Sequence, residues 1–475
     1  MAVLAACSTS GVDHHRNDPA RPRYKHHRAG NIYRVHDGLV EAAKQFDHVT
    51  TACYPGMFDM DFIPVQAGRK RDTKRRKMSQ RIRVLELIYG FQVGGMGGGI
   101  GRFGIELCRA LDRQQFNVHL CGLFDCGTLL EEKWLTQLNA EGIPAFYASK
   151  WDELHPYRSF WNSVRFLWNW QSQYKADIIH SHSEFTDIAA LMLNLHPSRP
   201  IILRSVHYGF QREWRKRPLR RLLLTNFLYP LLFNTEIGVS QTITANLNQR
   251  PLAKLQKRRA QCVYNAIDLQ RFQRTNLDRA SKRMGLNIPM DAPLIGTVGR
   301  LTEQKGYTYL IDAAALVLRQ IPQAYFLIVG DGELADTLKD QAHVRGIANQ
   351  VLFTGPRSDV EEILACLDIF VSSSLWEGLP TAIMESMATG IAVVATDIPG
   401  TRELVRNQHT GWLAPPGDAS ALAQTIQAAL GDTQSRQEFT NRAYQVVQSF
   451  SIRSIAIEHE KIYSAYSAAL QVIRQ

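Results

Sequence analysis

Five short apolar runs recur through the second half of this chain, and no other feature restricts its fold as tightly. They are Leu294–Val298, Tyr325–Val329, Val351–Thr354, Ile369–Ser372 and Ala392–Ala395, with helical spacing between them at Tyr307–Arg319 and Glu333–His343. Continuous β-branched runs predict strands buried on both faces. Alternation with amphipathic helices predicts a parallel sheet covered by helices. The first half repeats the rhythm. Ile82–Tyr89 reads as a strand, Gly94–Gly99 as a glycine turn, Ile100–Leu111 as a helix and Val118–Phe124 as the next strand. Ile178–His180, Ile201–Val206 and Glu236–Val239 fit further strands. A chain of 475 residues exceeds the roughly 100–200 residues of one ordinary domain. The reading is therefore α/β, with one Rossmann-like domain over 81–275, a second over 285–450, and a helical tail over 451–475.

Residues 1–80 lack this periodicity. They mix His, Arg, Pro and Asp and end in the basic run Arg69-Lys70-Arg71-Asp72-Thr73-Lys74-Arg75-Arg76-Lys77. Like charges at this density repel one another, so the segment reads as a mobile leader, and Met78 is an alternative start. Leu4-Ala5-Ala6-Cys7 has the letters of a lipoprotein cleavage box, but the apolar stretch before it is shorter than a signal needs. The formal charge of +11 favours anionic partners and does not set a fold. Seven scattered cysteines without a CxxC spacing argue against a disulfide framework or a structural zinc site. No apolar run reaches the about 18 residues of a membrane span.

Parallel sheets bind ligands where their strands end, and the informative residues follow the strands. Gly299-Arg300-Leu301-Thr302-Glu303-Gln304-Lys305-Gly306 runs from a strand into a helix. Arg300 brings a planar fork of donors and Lys305 a compact cation, together suited to a diphosphate. In Ser372-Ser373-Ser374-Leu375-Trp376-Glu377-Gly378-Leu379-Pro380-Thr381-Ala382-Ile383-Met384-Glu385, Pro380 suits the first turn of a helix. Amides at a helix start favour phosphate. Glu385, one turn in, is within reach of ribose hydroxyls, and Glu377 on the loop is within reach of a sugar. The glycines of Gly94–Gly101 let backbone approach a ligand, and Gly99-Ile100-Gly101-Arg102-Phe103-Gly104 with Asp125 is a literal dinucleotide fingerprint. His207 sits at a strand end.

Together these blocks resemble glycosyltransferase family 4, the group 1 type of retaining transferases with the GT-B fold. The resemblance covers about residues 81–470. Its most specific parts are Gly299-Arg300-Leu301…Lys305-Gly306 and the acids Glu377 and Glu385 around Gly378-Leu379-Pro380. Softer matches are Val239-Ser240 and Asn265-Ala266-Ile267-Asp268, where the family usually has glycine in place of Ala266. The resemblance implies two facing Rossmann-like domains with a C-terminal helix crossing back to the first. It implies that Arg300 and Lys305 hold the donor diphosphate and Glu385 the ribose. Glu377, Gly378, Leu379, Thr381 and His207 would meet the transferred sugar, and Gly97 and Gly98 would flank the phosphates and the acceptor. It implies a UDP- or GDP-sugar as substrate, no cofactor and, with no DxD-like pair present, no metal.

Gln211–Phe233 contains Arg212, Arg215, Lys216, Arg217, Arg220 and Arg221 beside Trp214 and Leu222–Leu224. Such a stretch fits an acidic membrane interface, which would place a cytoplasmic enzyme at the inner membrane face, working on a saccharide or lipid-linked acceptor in cell-surface polysaccharide or glycolipid synthesis. Three other readings stand beside this one. An NAD-dependent oxidoreductase would use the GIGRFG turn. A nucleic-acid binder would use the basic run, whereas the transferase reading expects no nucleic acid. A phosphorylase-like or epimerase enzyme would share the fold.

Overall fold

The computed structural model describes residues 81–92, 98–207, 222–255, 259–273 and 279–474. The leader with its basic run, Gly94–Gly97, and the arginine stretch Arg212–Arg221 lie outside the described residues.

Seven parallel strands form the first sheet: β1 (Ile82–Ile88), β2 (Phe116–Asp125), β3 (Ala145–Lys150), β4 (Ile178–Ser181), β5 (Ile201–Val206), β6 (Thr235–Gly238) and β7 (Gln261–Cys262), in the order β3-β2-β1-β4-β5-β6-β7. Six form the second: β8 (Leu294–Val298), β9 (Tyr325–Val329), β10 (Val351–Gly355), β11 (Ile369–Ser372), β12 (Ala392–Thr396) and β13 (Trp412–Ala414), in the order β10-β9-β8-β11-β12-β13. Both are doubly wound Rossmann-like sheets, and in each the strand order reverses beside the first strand. The crevice at that reversal, outside the strand ends, is where such sheets bind ligands. It falls between β1 and β4 in one sheet and between β8 and β11 in the other.

The strands are apolar on both faces because helices cover both. Val84, Leu85, Leu87 and Ile88 of β1 are all fully buried, as are Ile369 and Val371 of β11. The helix Leu129–Ala140 starts on a capping box, with Thr128 and Glu131 each accepting from the other's backbone amide. The C-terminal helix Ile452–Arg474 crosses back to the first sheet. Ile455, Ala456, Ile462 and Tyr463 pack in one core with Val84, Ile105 and Leu107, and Ile452 N donates to Ile267 O at 2.9 Å.

A second tie joins the halves. The Glu403 carboxylate, beyond β12, accepts from Gln241 N at 2.8 Å, Thr242 N at 2.9 Å and the Thr242 hydroxyl at 2.8 Å, at the start of the first half's helix Gln241–Gln249. A carboxylate there meets free amides and the positive end of the helix dipole. Glu403→Gln should therefore lower stability by about 1–2 kcal/mol, since bonds to a charged group contribute more than neutral ones. Chemical denaturation reads this directly, and an unchanged midpoint would mean the three bonds carry no net stability.

Candidate functional site

Two loops from the second sheet are laced side by side. After β8, Gly299–Gly306 turns through a short 3-10 segment, Glu303–Lys305, into the helix Tyr307–Gln320. After β11, Ser373–Pro380 leads into the helix Thr381–Thr389. Leu375 N donates to Gln304 O at 2.8 Å, and the Ser373 hydroxyl donates to Lys305 O at 2.8 Å. Gly306 makes this lacing possible. Its φ is +61°, and a Cβ there would stand 2.2 Å from the Ser373 carbonyl oxygen.

Lys305 Nζ lies 2.6 Å from Glu377 Oε1. The same oxygen accepts from the Ser374 hydroxyl at 2.8 Å, and Gln304 Nε2 donates to Glu377 Oε2 at 3.3 Å. Both oxygens of Glu377 are thus engaged by groups of fixed position. Such a carboxylate orients its neighbours and is badly placed to act as a free nucleophile. Arg300 is exposed and has no ion-pair partner among the described residues.

The helix Thr381–Thr389 begins with Pro380 at its N-cap, one residue before the first turn in which the sequence had suggested it. Pro380 offers no side-chain cap, so the first amides remain free to meet an anion. The helix Gly98–Ala110 of the first half points its own start at the same place. A Cβ on Gly98 (φ +59°) would lie 3.9 Å from Arg300 Nε, and one on Gly99 would lie 3.4 Å from the Thr381 hydroxyl oxygen. Two helix starts, Arg300 and Lys305 therefore converge across one cleft. Gly378 closes its floor: a Cβ there would be 2.1 Å from the His207 carbonyl oxygen.

Glu385 stands one turn into the Thr381–Thr389 helix, partly buried, and its carboxyl accepts no hydrogen bond among the described residues. Burial pushes its pKa up to about 7 against the pull of Arg271 and Lys305. A carboxyl held this way gains from any ligand that donates to its ionised form. His207, at the end of β5, is buried, and its pKa is driven well below the ordinary histidine value by desolvation and by His182, His180 and His459.

The structure brings together Arg300, Lys305, Glu377, Gly378, Thr381, Gly98 and His207, with buried Leu379 beside them. Gly97 lies outside the described residues. The GIGRFG letters fall inside the Gly98–Ala110 helix and not in a turn. Gly104 is there because a Cβ would stand 2.6 Å from Ile88 Cγ2, so this glycine serves helix-on-strand packing. Asp125 accepts from Gly127 N at 2.9 Å in its own turn. A 390 Å³ cavity between the helices Arg279–Gly285 and Val360–Cys366 lies apart from this chemistry, and its cations are paired with Asp359, Glu362 and Asp368.

Sequence reasoning missed Glu86, His180 and His182, all fully or almost fully buried beneath His207. Their signals were a carboxylate inside the run Leu85-Glu86-Leu87 and the spacing His180-x-His182. One oxygen and two nitrogens come within 4.8 Å of one another there. Each of these atoms is already matched donor to acceptor within the group, which is the pattern of a hydrogen-bond network.

Residues 278–446 match the family model for group 1 glycosyl transferases, and residues 97–271 match the model for glycosyltransferase family 4. An Escherichia coli protein named UDP-Gal:alpha-D-GlcNAc-diphosphoundecaprenol alpha-1,3-galactosyltransferase is 26% identical over 360 residues, covering 74% of this chain and 90% of that one. A lipopolysaccharide core biosynthesis glycosyltransferase of Rhizobium meliloti, LpsE, is 35% identical over 177 residues, 37% of this chain and 51% of that one. Among solved structures, the Anabaena protein HepE in complex with UDP-glucose superposes with a TM-score of 0.68 at 23% identity, covering 81% of this chain and all of that one. That likeness establishes a shared fold.

Proposed function

This chain belongs to the group 1 glycosyltransferases with the GT-B fold, and from that premise we propose that it moves a hexose from a UDP- or GDP-sugar to a saccharide or lipid-linked acceptor with retention of configuration. The observation that carries this reading is the convergence of Arg300, Lys305 and two helix starts on one cleft.

As the bond to the sugar breaks, the anomeric carbon gains positive charge and the diphosphate gains negative charge. Arg300, Lys305 and the amides near Thr381 stand ready for that negative charge, and such preorganised donors are commonly the largest part of catalysis. Arg300 and Lys305 would supply the neutralisation that a metal supplies in other transferases, so we assign no metal to the reaction. Lys305 would share its charge between Glu377 and the leaving phosphate. Glu377 would orient the sugar, together with Gly378, Leu379, Thr381 and His207. Glu385 would take the ribose. With Glu377 held by Lys305, Ser374 and Gln304, retention would fit same-face attack guided by the leaving phosphate. Residues 81–275 would carry the acceptor and 285–450 the donor.

The names of the Escherichia coli and Rhizobium relatives support an acceptor used in cell-surface polysaccharide or glycolipid synthesis. Among the described residues no helix is long and apolar enough to cross a membrane. Leu222, Leu223, Phe227 and Leu231 are each 37–50% exposed on the segment that follows the arginine stretch. We read this as peripheral contact with acidic lipid at the cytoplasmic face. Thermal shift with a panel of UDP-, GDP- and ADP-sugars tests the donor: bound ligand at 100 times its Kd adds about 2.7 kcal/mol of stability. A rise with NADH and with none of the sugar nucleotides would return the oxidoreductase reading.

A further inference from the structure

The buried group beneath His207 has an internal logic that reaches the cleft. Glu86 stands in the middle of β1 and is fully buried. An anion there needs donors. The Tyr463 hydroxyl, from the crossing helix, donates to Oε1 at 2.6 Å. His182 Nε2 lies 2.8 Å from Oε2, and His180 Nδ1 lies 3.1 Å from it. His180 Nδ1 is also 2.7 Å from the Tyr463 oxygen, and its Nε2 is 2.9 Å from the Ser205 hydroxyl. Burial alone would raise the Glu86 pKa, but the pull of His180 and the hydrogen bonds from His180 and His182 reverse that and hold it well below the usual carboxylate range. Burial lowers His182 to about 4.

These contacts fix where the protons are. A carboxylate has only lone pairs, so neutral His182 must carry its proton on Nε2, and its Nδ1 is bare. His207 Nε2 faces that bare nitrogen at 3.5 Å. The contact is long for a hydrogen bond, but two lone pairs at that distance would repel, so the proton of His207 belongs on Nε2. His207 Nδ1 is then bare as well. It is buried and has no partner among the described residues. Phe103, with its ring centroid 5.5 Å from that of His207, gives apolar cover and no competing donor. The His207 carbonyl abuts Gly378 of the donor loop.

We propose that Glu86 and His182 are positioning residues that hold the proton of His207 on Nε2, so that its Nδ1 accepts a hydrogen bond from a hydroxyl of the transferred sugar. This rests on the transferase reading above and deepens it. The group that meets Nδ1 has to be a donor. A hexose hydroxyl qualifies. A uronate carboxylate does not, because its lone pairs would face a lone pair beneath a neutral, buried ring.

The test uses the full chain with its histidines labelled in 15N. The His207 signal is assigned by its loss in His207→Gln, and the tautomer is read from long-range nitrogen–proton couplings near neutral pH. The probes are UDP-glucose, UDP-galactose, GDP-mannose, UDP and UDP-glucuronate. The expected result is a proton on Nε2 and a bare Nδ1 that shifts when a hexose nucleotide binds but not with UDP or UDP-glucuronate. A proton on Nδ1, or an imidazolium, overturns the proposal. So does a bare Nδ1 that stays unmoved while a hexose nucleotide demonstrably binds. If no nucleotide binds at all, the transferase reading beneath it fails instead, and the relay is judged on the tautomer alone. Glu86→Gln should mix the tautomers and cut the preference for hexose over uronate by about tenfold, the worth of one well-made hydrogen bond. Tyr463→Phe touches the same carboxylate outside the relay and should leave both unchanged. An equal change in Tyr463→Phe would reduce Glu86 to a purely structural role and overturn the assignment.

Discussion

Lys305→Ala should lower kcat/KM for transfer by about 10²–10³, the usual loss when one preorganised stabiliser of a developing anion is removed. The geometry adds a second penalty. Without the ammonium, Glu377 keeps its hydrogen bonds from Ser374 and Gln304 but loses its countercharge. Its side chain is only 9% exposed, so little water screens it. The incoming diphosphate would then meet an uncompensated anion where it now meets a neutral pair. The same change should cost about 1–2 kcal/mol of stability, a buried-pair penalty discounted because Lys305 is partly exposed. Lys305→Ala with Glu377→Ala should recover the stability and not the rate. Arg300→Ala makes the clean comparison. It breaks no pair among the described residues, so it should lose activity at an unchanged melting midpoint. Steady-state kinetics beside thermal unfolding separates these cases. Full transfer activity in Lys305→Ala would remove the anion site, and with it the transferase mechanism.

Much of this site was readable in the letters because its chemistry sits on turns. A strand buried on both faces must be apolar throughout, so β8, β9 and β11 announced both their ends. Polar residues placed immediately after such a run are held at the sheet edge whatever the rest of the loop does. That is why Arg300, Lys305 and Glu377 could be placed in one crevice before any coordinates. The GIGRFG letters match the dinucleotide fingerprint without its structure for a related reason. A turn glycine and a packing glycine share a letter, and only the close approach of Gly104 to Ile88 tells them apart.

What stayed hidden depends on partners far away in sequence. β3 (Ala-Phe-Tyr-Ala-Ser-Lys) lies at the sheet edge, half covered, and lacks a continuous apolar run. β13 has three residues and is defined by β12 beside it. Glu86 reads as an error in an apolar strand until His182 and Tyr463, distant by 96 and 377 residues, arrive to satisfy it. The tie from Glu403 to the Gln241–Gln249 helix crosses 161 residues to Thr242. A helix-start carboxylate is an ordinary surface letter until the helix it caps belongs to the other half.

Glu385→Gln should stabilise the ligand-free protein while impairing donor binding, because the fold and the donor ask opposite things of this carboxyl. In the folded chain it titrates near 7, against 4.5 for a free glutamic acid, chiefly because burial disfavours its charge. The sign follows from proton counts. Below about pH 4.5 both folded and unfolded chains hold the proton, and the group contributes nothing. Between about 4.5 and 7 the unfolded chain releases it and the folded chain retains it, so stability falls as pH rises. Above about 7 the loss is complete. At 1.36 kcal/mol per pH interval it amounts to about 3 kcal/mol. Glutamine cannot ionise, so the variant should be more stable than the parent by about that much at alkaline pH and equal to it in acid. The donor reverses the balance. Ribose hydroxyls that donate to the ionised carboxylate favour its charge, so binding near neutral pH should release a proton. Calorimetry in two buffers of different ionisation heat measures that release, and the donor KM of the parent should fall as pH rises through 7. In Glu385→Gln both the proton release and the pH dependence should vanish. If they persisted, the ribose would be held elsewhere and the raised carboxyl would be a property of packing alone.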